Sequence, residues 1–372
     1  MAPRITRITA IPVRVPVPPE RINCPQFAHE PLNRGPTGGW DGPWVGDVPF
    51  TIVKVGGSDG GPAGWCSTTR GRDAAVVREV AARLLGRSRE RITPLEHPGA
   101  DTYYRGLHTA ALDWRARGEG LPLYRLFGEK IRDRIKAAQF AGFCTPTGAA
   151  ARARQAQAEG FTSLKLKANL ELDAPGIAAA VKDACGEHFE LVIDPNGRWE
   201  TTRIALERAR AIAAVSRSVY LEDPVYGTDA IDALAQIRRQ GGVGTIKTLI
   251  GADGIRAAAD AGAIDAINLQ GTWPLLLEGS AEAARLGIPY WLGSSLECGL
   301  SDLATMHFAA TQEQFLFPCE LAGNMTREHD LLAAPIRYEH GFALLPEGPG
   351  LGIDADEDAI ERYRVGDPVI VG

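Results

Sequence analysis

The sequence lacks several features that would place it in a specialised class of protein. It has no run of about 18 apolar residues, the length that a membrane-spanning helix needs. Its formal net charge is −6, whereas a nucleic-acid-binding surface needs a basic patch or stripe. Its first residues lack the apolar core of a signal peptide. We therefore expect a cytoplasmic protein with no membrane or nucleic-acid partner.

Cysteine is also scarce and scattered. The six cysteines form no Cys-x-x-Cys motif, which favours free thiols over a disulfide framework in a chain of 372 residues. The composition, 45% hydrophobic and 23% charged, is that of a globular protein with one large domain or two.

The first part of the chain has the pattern of a sheet followed by helices. Strands are predicted at 3–15, 49–56 and 63–67, and helices at about 72–86 and 102–117. Residues 1–128 are therefore expected to form an α+β domain. Within it, the loop 17–48 is rich in proline, glycine and aromatic residues. Such a loop is either a lid over a pocket or a packing segment.

From about residue 135 onward, apolar strands and helical segments alternate. Strand then helix, repeated, predicts a parallel sheet with right-handed crossovers, and eight strands would close into a barrel. The predicted strands are 137–143, 161–168, 189–194, 218–222, 248–253, 264–269, 289–293 and 315–320. The tail, 338–372, is expected to leave the barrel and return to the first domain.

A pair of lysines lies on the second of these strands. Lys165 and Lys167 are two residues apart, so both side chains point to the same face. Each ammonium should lower the pKa of the other, and a lysine with a lowered pKa can act as a general base. The alternative is a pair of solvated lysines on an edge strand.

Carboxylates end the next three predicted strands: Asp194, Glu222 and Asp253. The C-terminal strand ends of such a barrel meet at one face, so these side chains should converge. A divalent cation would relieve their repulsion, and oxygen ligands with open positions suit Mg²⁺. The alternative is that each acid is an ordinary turn or cap residue.

These motifs together carry a resemblance that covers nearly the whole chain. Leu-Lys-Leu-Lys at 164–167, Asp-Pro-Asn-Gly-Arg-Trp at 194–199, Leu-Glu-Asp-Pro at 221–224 and Asp253 resemble the enolase superfamily. The sequence is most similar to its mandelate racemase and muconate lactonizing enzyme group, nearest to the acid-sugar dehydratases. The resemblance implies a modified (β/α)7β barrel, here 129–337, under an α+β capping domain, here 1–128 with segment 338–372. It also implies bound Mg²⁺, a small carboxylate substrate and a homo-oligomer.

The resemblance assigns a role to each candidate residue. Lys167 would be the acid/base group and Lys165 its neighbour, with Asp194, Glu222 and Asp253 as metal ligands. The shared chemistry would be removal of the proton alpha to a substrate carboxylate, giving an enediolate. Substrate-binding or supporting residues would be Asn196, Asp223, Gln270, Ser295, Trp40 and His29.

The chain departs from the family pattern on the opposite face of the site. No histidine ends the seventh predicted strand, and no second lysine lies on the fifth or sixth strand. Glu297 or Cys298 could serve as a second acid, although both are also compatible with packing roles. One base suits elimination, so dehydration of a hydroxy acid is the first expectation. Racemisation, epimerisation or cycloisomerisation is the second, and a non-catalytic carboxylate-binding barrel is the third.

Overall fold

The structure is a computed structural model that describes residues 2–27, 49–68, 74–96, 104–294 and 296–372. Residues His29, Trp40 and Ser295, and with them most of the loop 17–48, lie outside the described residues. No described helix combines the length and the apolar character that crossing a membrane requires.

The N-terminal elements form an antiparallel sheet covered by helices. They are β1 (Ile5–Val13), α1 (Pro19–Ile22), β2 (Phe50–Gly57), β3 (Gly64–Ser67), α2 (Ala74–Leu84) and α3 (Arg105–Gly118). Strand β2 lies between β1 and β3. Helix α3 approaches β3 so closely that a Cβ on Gly64 would lie 2.1 Å from the carbonyl oxygen of Ala110. Glycine is therefore required at this contact.

A short strand, β4 (Arg134–Lys136), precedes the barrel. The barrel strands are β5 (Gln139–Ala141), β6 (Ser163–Lys167), β7 (Glu190–Asp194), β8 (Val219–Glu222), β9 (Gly244–Ile250), β10 (Ala266–Gln270) and β11 (Tyr290–Leu292). The helices that follow these strands are α4 (Pro146–Ala158), α5 (Ala174–Cys185), α6 (Thr202–Ala213), α7 (Ala230–Gln240), α8 (Gly251–Asp260), α9 (Trp273–Leu286) and α10 (Gly299–Ala309). All seven strands pair in sequence order and in parallel. The predicted barrel fold is confirmed.

The eighth predicted strand closes the barrel without becoming a regular strand. The amide of Phe317 donates to Tyr290 O at 3.4 Å on the β11 side. On the other side, Cys319 donates to Lys136 O and accepts from Ala138 N, both at 2.9 Å. Segment 315–320 thus links β11 to the chain entering β5, and it occupies the eighth position in the ring.

The strand predicted at 248–253 lies earlier in the chain than expected. Strand β9 ends at Ile250, and helix α8 begins at the next residue. Gly251 has a φ of +66°, a left-handed conformation that glycine adopts readily and that ends the strand. This shift moves Asp253 from a strand end into the first turn of a helix.

The remaining elements are α11 (Gly323–Thr326), β12 (Tyr338–Glu339), β13 (Phe342–Leu344), α12 (Glu357–Arg362) and β14 (Val369–Val371). Strand β13 pairs with β4, and β14 pairs with β1. Asp113 of α3 fastens the tail, because its carboxylate accepts from Leu351 N at 2.7 Å and from Trp65 N at 2.8 Å.

His307 of α10 makes the stability of the fold pH-dependent. Burial of its ring, which is 0% exposed, lowers its pKa from 6.5 to about 4. A lowered folded-state pKa gives stability that is present above pH 6.5 and lost as the pH falls towards 4. We expect this residue alone to cost about 3 kcal/mol of unfolding free energy over that window. Chemical denaturation of the parent and of His307→Leu at pH 7 and pH 4.5 measures the difference in slope.

The matched control is His340→Asn, which changes an exposed histidine whose φ of +50° asparagine tolerates. The control should lose the same unfolding free energy between pH 7 and pH 4.5 as the parent. An unchanged slope in His307→Leu would contradict the prediction, whatever its packing cost at pH 7.

Candidate active site

Lys165 is the centre of the charged cluster inside the barrel. It lies on β6 with its side chain 4% exposed, and its Nζ contacts carboxylates from three other segments. The distances are 2.7 Å to Glu320 Oε1, 2.8 Å to Glu222 Oε2 and 3.4 Å to Asp194 Oδ2. An ammonium group has three N–H donors and therefore suits three such partners.

The expected lowering of lysine pKa is wrong for Lys165. Burial alone would lower its pKa, but Glu222, Glu320 and Asp194 outweigh burial and hold the pKa well above its ordinary value. The neighbouring lysine is the charge that the local sequence shows, whereas the fold surrounds the ammonium with carboxylates from distant segments. Lys165 is therefore a permanent cation and cannot be the base.

Lys167 lies one side-chain layer nearer the mouth of the barrel. Its Nζ donates to Asp194 Oδ2 at 2.6 Å and to Asn196 Oδ1 at 3.2 Å, and its side chain is 13% exposed. Asp194 is held in turn by Asn196, whose backbone amide donates to Asp194 Oδ1 at 3.0 Å. Asn196 adopts a φ of +48°, a conformation that asparagine tolerates better than most residues. The predicted grouping of Lys167, Asp194 and Asn196 is present.

The wall opposite Lys167 consists of amides. In the ring of eight segments, β10 is four strands away from β6 and so lies across the barrel. Asn268 of β10 donates through Nδ2 to Glu222 Oε1 at 2.8 Å. Gln270 donates through Nε2 to Asn268 Oδ1 at 3.1 Å and to Gly293 O at 2.9 Å. This chain of amides orients Glu222, whose pKa burial and the nearby Asp194 raise to about 8.

Asp253 does not join the other carboxylates, which corrects the expectation that three strand ends converge. Its side chain is 97% exposed in the first turn of α8, where it pairs with Arg256. Strand β9 itself carries Lys247, so the expectation that no second lysine lies on the fifth strand is wrong. Its Nζ lies 2.5 Å from Asp223 Oδ1. Asp223 also accepts from Thr248 N at 3.3 Å. Asp223 therefore joins the end of β8 to β9, and its supporting role in the site stays a prediction.

Glu297 and Cys298 lie where the start of α10 approaches β3. Glu297 accepts from Ser294 Oγ at 3.2 Å and lines a small cavity against Ser67 of β3. Cys298 is buried next to Ser67 and directly precedes the first residue of α10. Burial raises the pKa of its thiol to about 12. A thiol of this kind is a poor acid at neutral pH. A role of either residue as a second acid stays a prediction.

The residue that the sequence argument missed is Glu320. It ends the eighth predicted strand, so the rule that located Asp194 and Glu222 applies to it as well. Its carboxylate accepts from Lys165 Nζ and, at 3.4 Å, from Trp291 Nε1. Glu320 lies in the last segment of the ring, far along the chain from the three strands that follow the lysine pair.

Magnesium is the cofactor that the resemblance implies, but the donor set does not fit it. Both Asp194 oxygens are already hydrogen-bonded, Oδ1 to Asn196 and Oδ2 to Lys167. Glu222 faces Asn268 and the Lys165 ammonium. Across the described ranges, no three His, Cys, Asp or Glu side chains are grouped so that they could hold a metal ion.

Comparisons with known proteins agree with this architecture. The family model described as "Enolase C-terminal domain-like" matches residues 148–359, more than half of the chain. Chloromuconate cycloisomerase of Cupriavidus pinatubonensis is 30% identical over 278 residues, which cover 69% of this chain and 71% of that protein.

Two further relatives represent other reactions. D-gluconate dehydratase of Thermoproteus tenax is 25% identical over 328 residues, or 78% of this chain and 64% of that protein. The crystal structure of N-succinyl Arg/Lys racemase from Bacillus cereus superposes with a TM-score of 0.79 at 22% identity, covering 99% of this chain and 100% of that one. The chain therefore belongs to the enolase superfamily, in the group of mandelate racemase and muconate cycloisomerase.

Proposed function

We propose that this protein is a dehydratase that removes the proton alpha to the carboxylate of a hydroxy acid and expels the hydroxyl group on the neighbouring carbon. The observation that carries the proposal is the asymmetry of the barrel mouth. Lys167 offers an amine on one wall, whereas Asn268 and Gln270 offer amides on the other. The side chain of Lys167 is 13% exposed and lies near the open end of the barrel.

A single base is sufficient for syn elimination. Lys167 takes the alpha proton through its Nζ, and Asp194 at 2.6 Å stabilises the ammonium that forms. The enediolate then expels the beta hydroxyl, which takes the same proton and leaves as water. The resulting enol tautomerises to a 2-keto acid. Lys167 ends the cycle neutral, so atoms and charge balance.

Cycloisomerisation is the second candidate, and the relative at 30% identity favours it. The elimination step is the same when the leaving group is a carboxylate that forms part of a ring in the substrate, instead of a hydroxyl. Racemisation is supported less, because it needs an acid/base group on each face of the substrate. The described residues of β10 supply amides there.

Replacing Lys167 by arginine tests the base directly. Lys167→Arg keeps a positive charge beside Asp194, but a guanidinium does not release its proton near neutral pH. We expect exchange of the alpha proton and formation of 2-keto acid both to fall by roughly 10³-fold. The measurement uses NMR in D₂O with a panel of 2,3-dihydroxy acids, and a carbonyl reagent for the keto acid.

Lys182→Arg is the matched control, since it changes a lysine with a side chain 41% exposed and paired with Glu187. The control should leave both rates unchanged. If Lys167→Arg retains the exchange rate of the parent, Lys167 is not the base. If the parent binds carboxylates but exchanges none of their alpha protons, the protein is a carboxylate-binding barrel.

Gln270 offers a test of the single-base arrangement. With a 2-hydroxy acid that has no beta hydroxyl, the parent should exchange the alpha proton and retain configuration, since Lys167 returns the deuteron to the same face. Gln270→Lys places an amine on the opposite wall and should introduce racemisation, whereas Gln270→Met should not. Chiral chromatography of the recovered acid measures the outcome. Inversion by the parent itself would contradict the single-base proposal.

A further inference from the structure

The carboxylates of the barrel interior converge on a lysine. Asp194, Glu222 and Glu320 come from β7, β8 and the closing segment 315–320, and each lies 2.7–3.4 Å from Lys165 Nζ. A divalent cation placed among the same oxygens would be within a few ångströms of a fixed ammonium. The repulsion between the two cations would oppose metal binding.

Strand β9 supplies no carboxylate to this interior. Partner residues on adjacent parallel strands point to the same side of a sheet, and Ile246 pairs with Glu222 while Thr248 pairs with Asn268. The inward positions of β9 are therefore Ile246, Thr248 and, by its pairing with Gln270, Ile250. Lys247 points to the other side, towards Asp223.

Both carboxylate oxygens of Asp194 already have partners, and Glu222 Oε2, which accepts no hydrogen bond from the described residues, lies 2.8 Å from Lys165 Nζ. The Asp194 carboxylate accepts from Asn196 through one oxygen and from Lys167 through the other. Mg²⁺ demands near-octahedral oxygen ligands at about 2.1 Å and gives up its water reluctantly. Binding would thus have to break hydrogen bonds that Asp194 already makes and to displace the Lys165 ammonium from among the carboxylates.

We propose that the ammonium of Lys165 is the resident cation of this site, taking the place that a divalent metal would fill, so that the protein holds its three carboxylates without a metal. Lys165 is then a positioning residue, which fixes Asp194 beside the base and Glu222 beside the amides of β10. This role for Lys165 rests on the proposed function, because both concern the same site. It is tested by metal binding and stability, so it can fail or hold independently of the proposed reaction.

The first test measures binding of Mn²⁺, a paramagnetic substitute for Mg²⁺, by electron paramagnetic resonance. The parent should show no saturable site up to about 1 mM. Lys165→Met removes the ammonium and leaves three facing carboxylates, so it should acquire one Mn²⁺ site of at least about tenfold higher affinity. Lys165→Arg keeps a cation and should behave as the parent.

Thermal unfolding gives a second readout for the same variants. Because a cation that binds only the folded state stabilises it, added Mg²⁺ should raise the melting temperature of Lys165→Met but not that of the parent or of Lys165→Arg. Should Lys165→Met fail to fold without metal, its recovery by Mn²⁺ during refolding would support the proposal. Failure to recover it at millimolar Mn²⁺ would overturn the proposal.

The missing carboxylate of β9 provides an independent pair of variants. Thr248→Asp adds an inward carboxylate and should also gain Mn²⁺ binding, whereas the isosteric Thr248→Asn should not. One saturable Mn²⁺ site in the parent, lost in Asp194→Asn, would overturn the proposal. A folded Lys165→Met or Thr248→Asp that binds no more Mn²⁺ than the parent would also overturn it.

Discussion

The interior of this barrel depends on one buried ammonium surrounded by carboxylates. Taking Lys165 and its partners out of water costs several kcal/mol per ion, and only close mutual contact offsets that cost. The partners lie on β7, β8 and segment 315–320, so the contact exists only when the ring is closed. Closure of the barrel and compensation of the buried charge are therefore one event.

The same cluster sets the positions of the groups at the mouth. Asp194 touches both lysines, so the cation that anchors it also places it against Lys167. Glu222 extends the network to the amides of Asn268 and Gln270. The result is an amine wall and an amide wall around one opening. This asymmetry favours one-sided proton transfer over exchange between two faces.

The two departures from the family pattern lie on neighbouring strands. Strand β9 presents Thr248 at an inward position and contributes no carboxylate, and β10 presents Gln270 on the wall opposite Lys167. Both changes remove ionisable groups from the half of the barrel that faces Lys167. The other half, with Lys165, Asp194 and Glu222, keeps its charges in close contact. The charges therefore compensate each other within one side of the barrel.

The sequence alone determined the alternation of strands and helices, the side on which Lys165 and Lys167 both lie, and the strand ends that carry Asp194 and Glu222. These are local properties, since they follow from residue periodicity and from turn residues. Only the tertiary structure decided the charge environment of Lys165 and the recruitment of Glu320, which is 155 residues away along the chain. It also decided that the side chain of Asp253 is exposed to solvent. A strand that ends three residues earlier places a carboxylate in solvent instead of in the barrel, and pairing register depends on neighbouring strands that no local pattern contains.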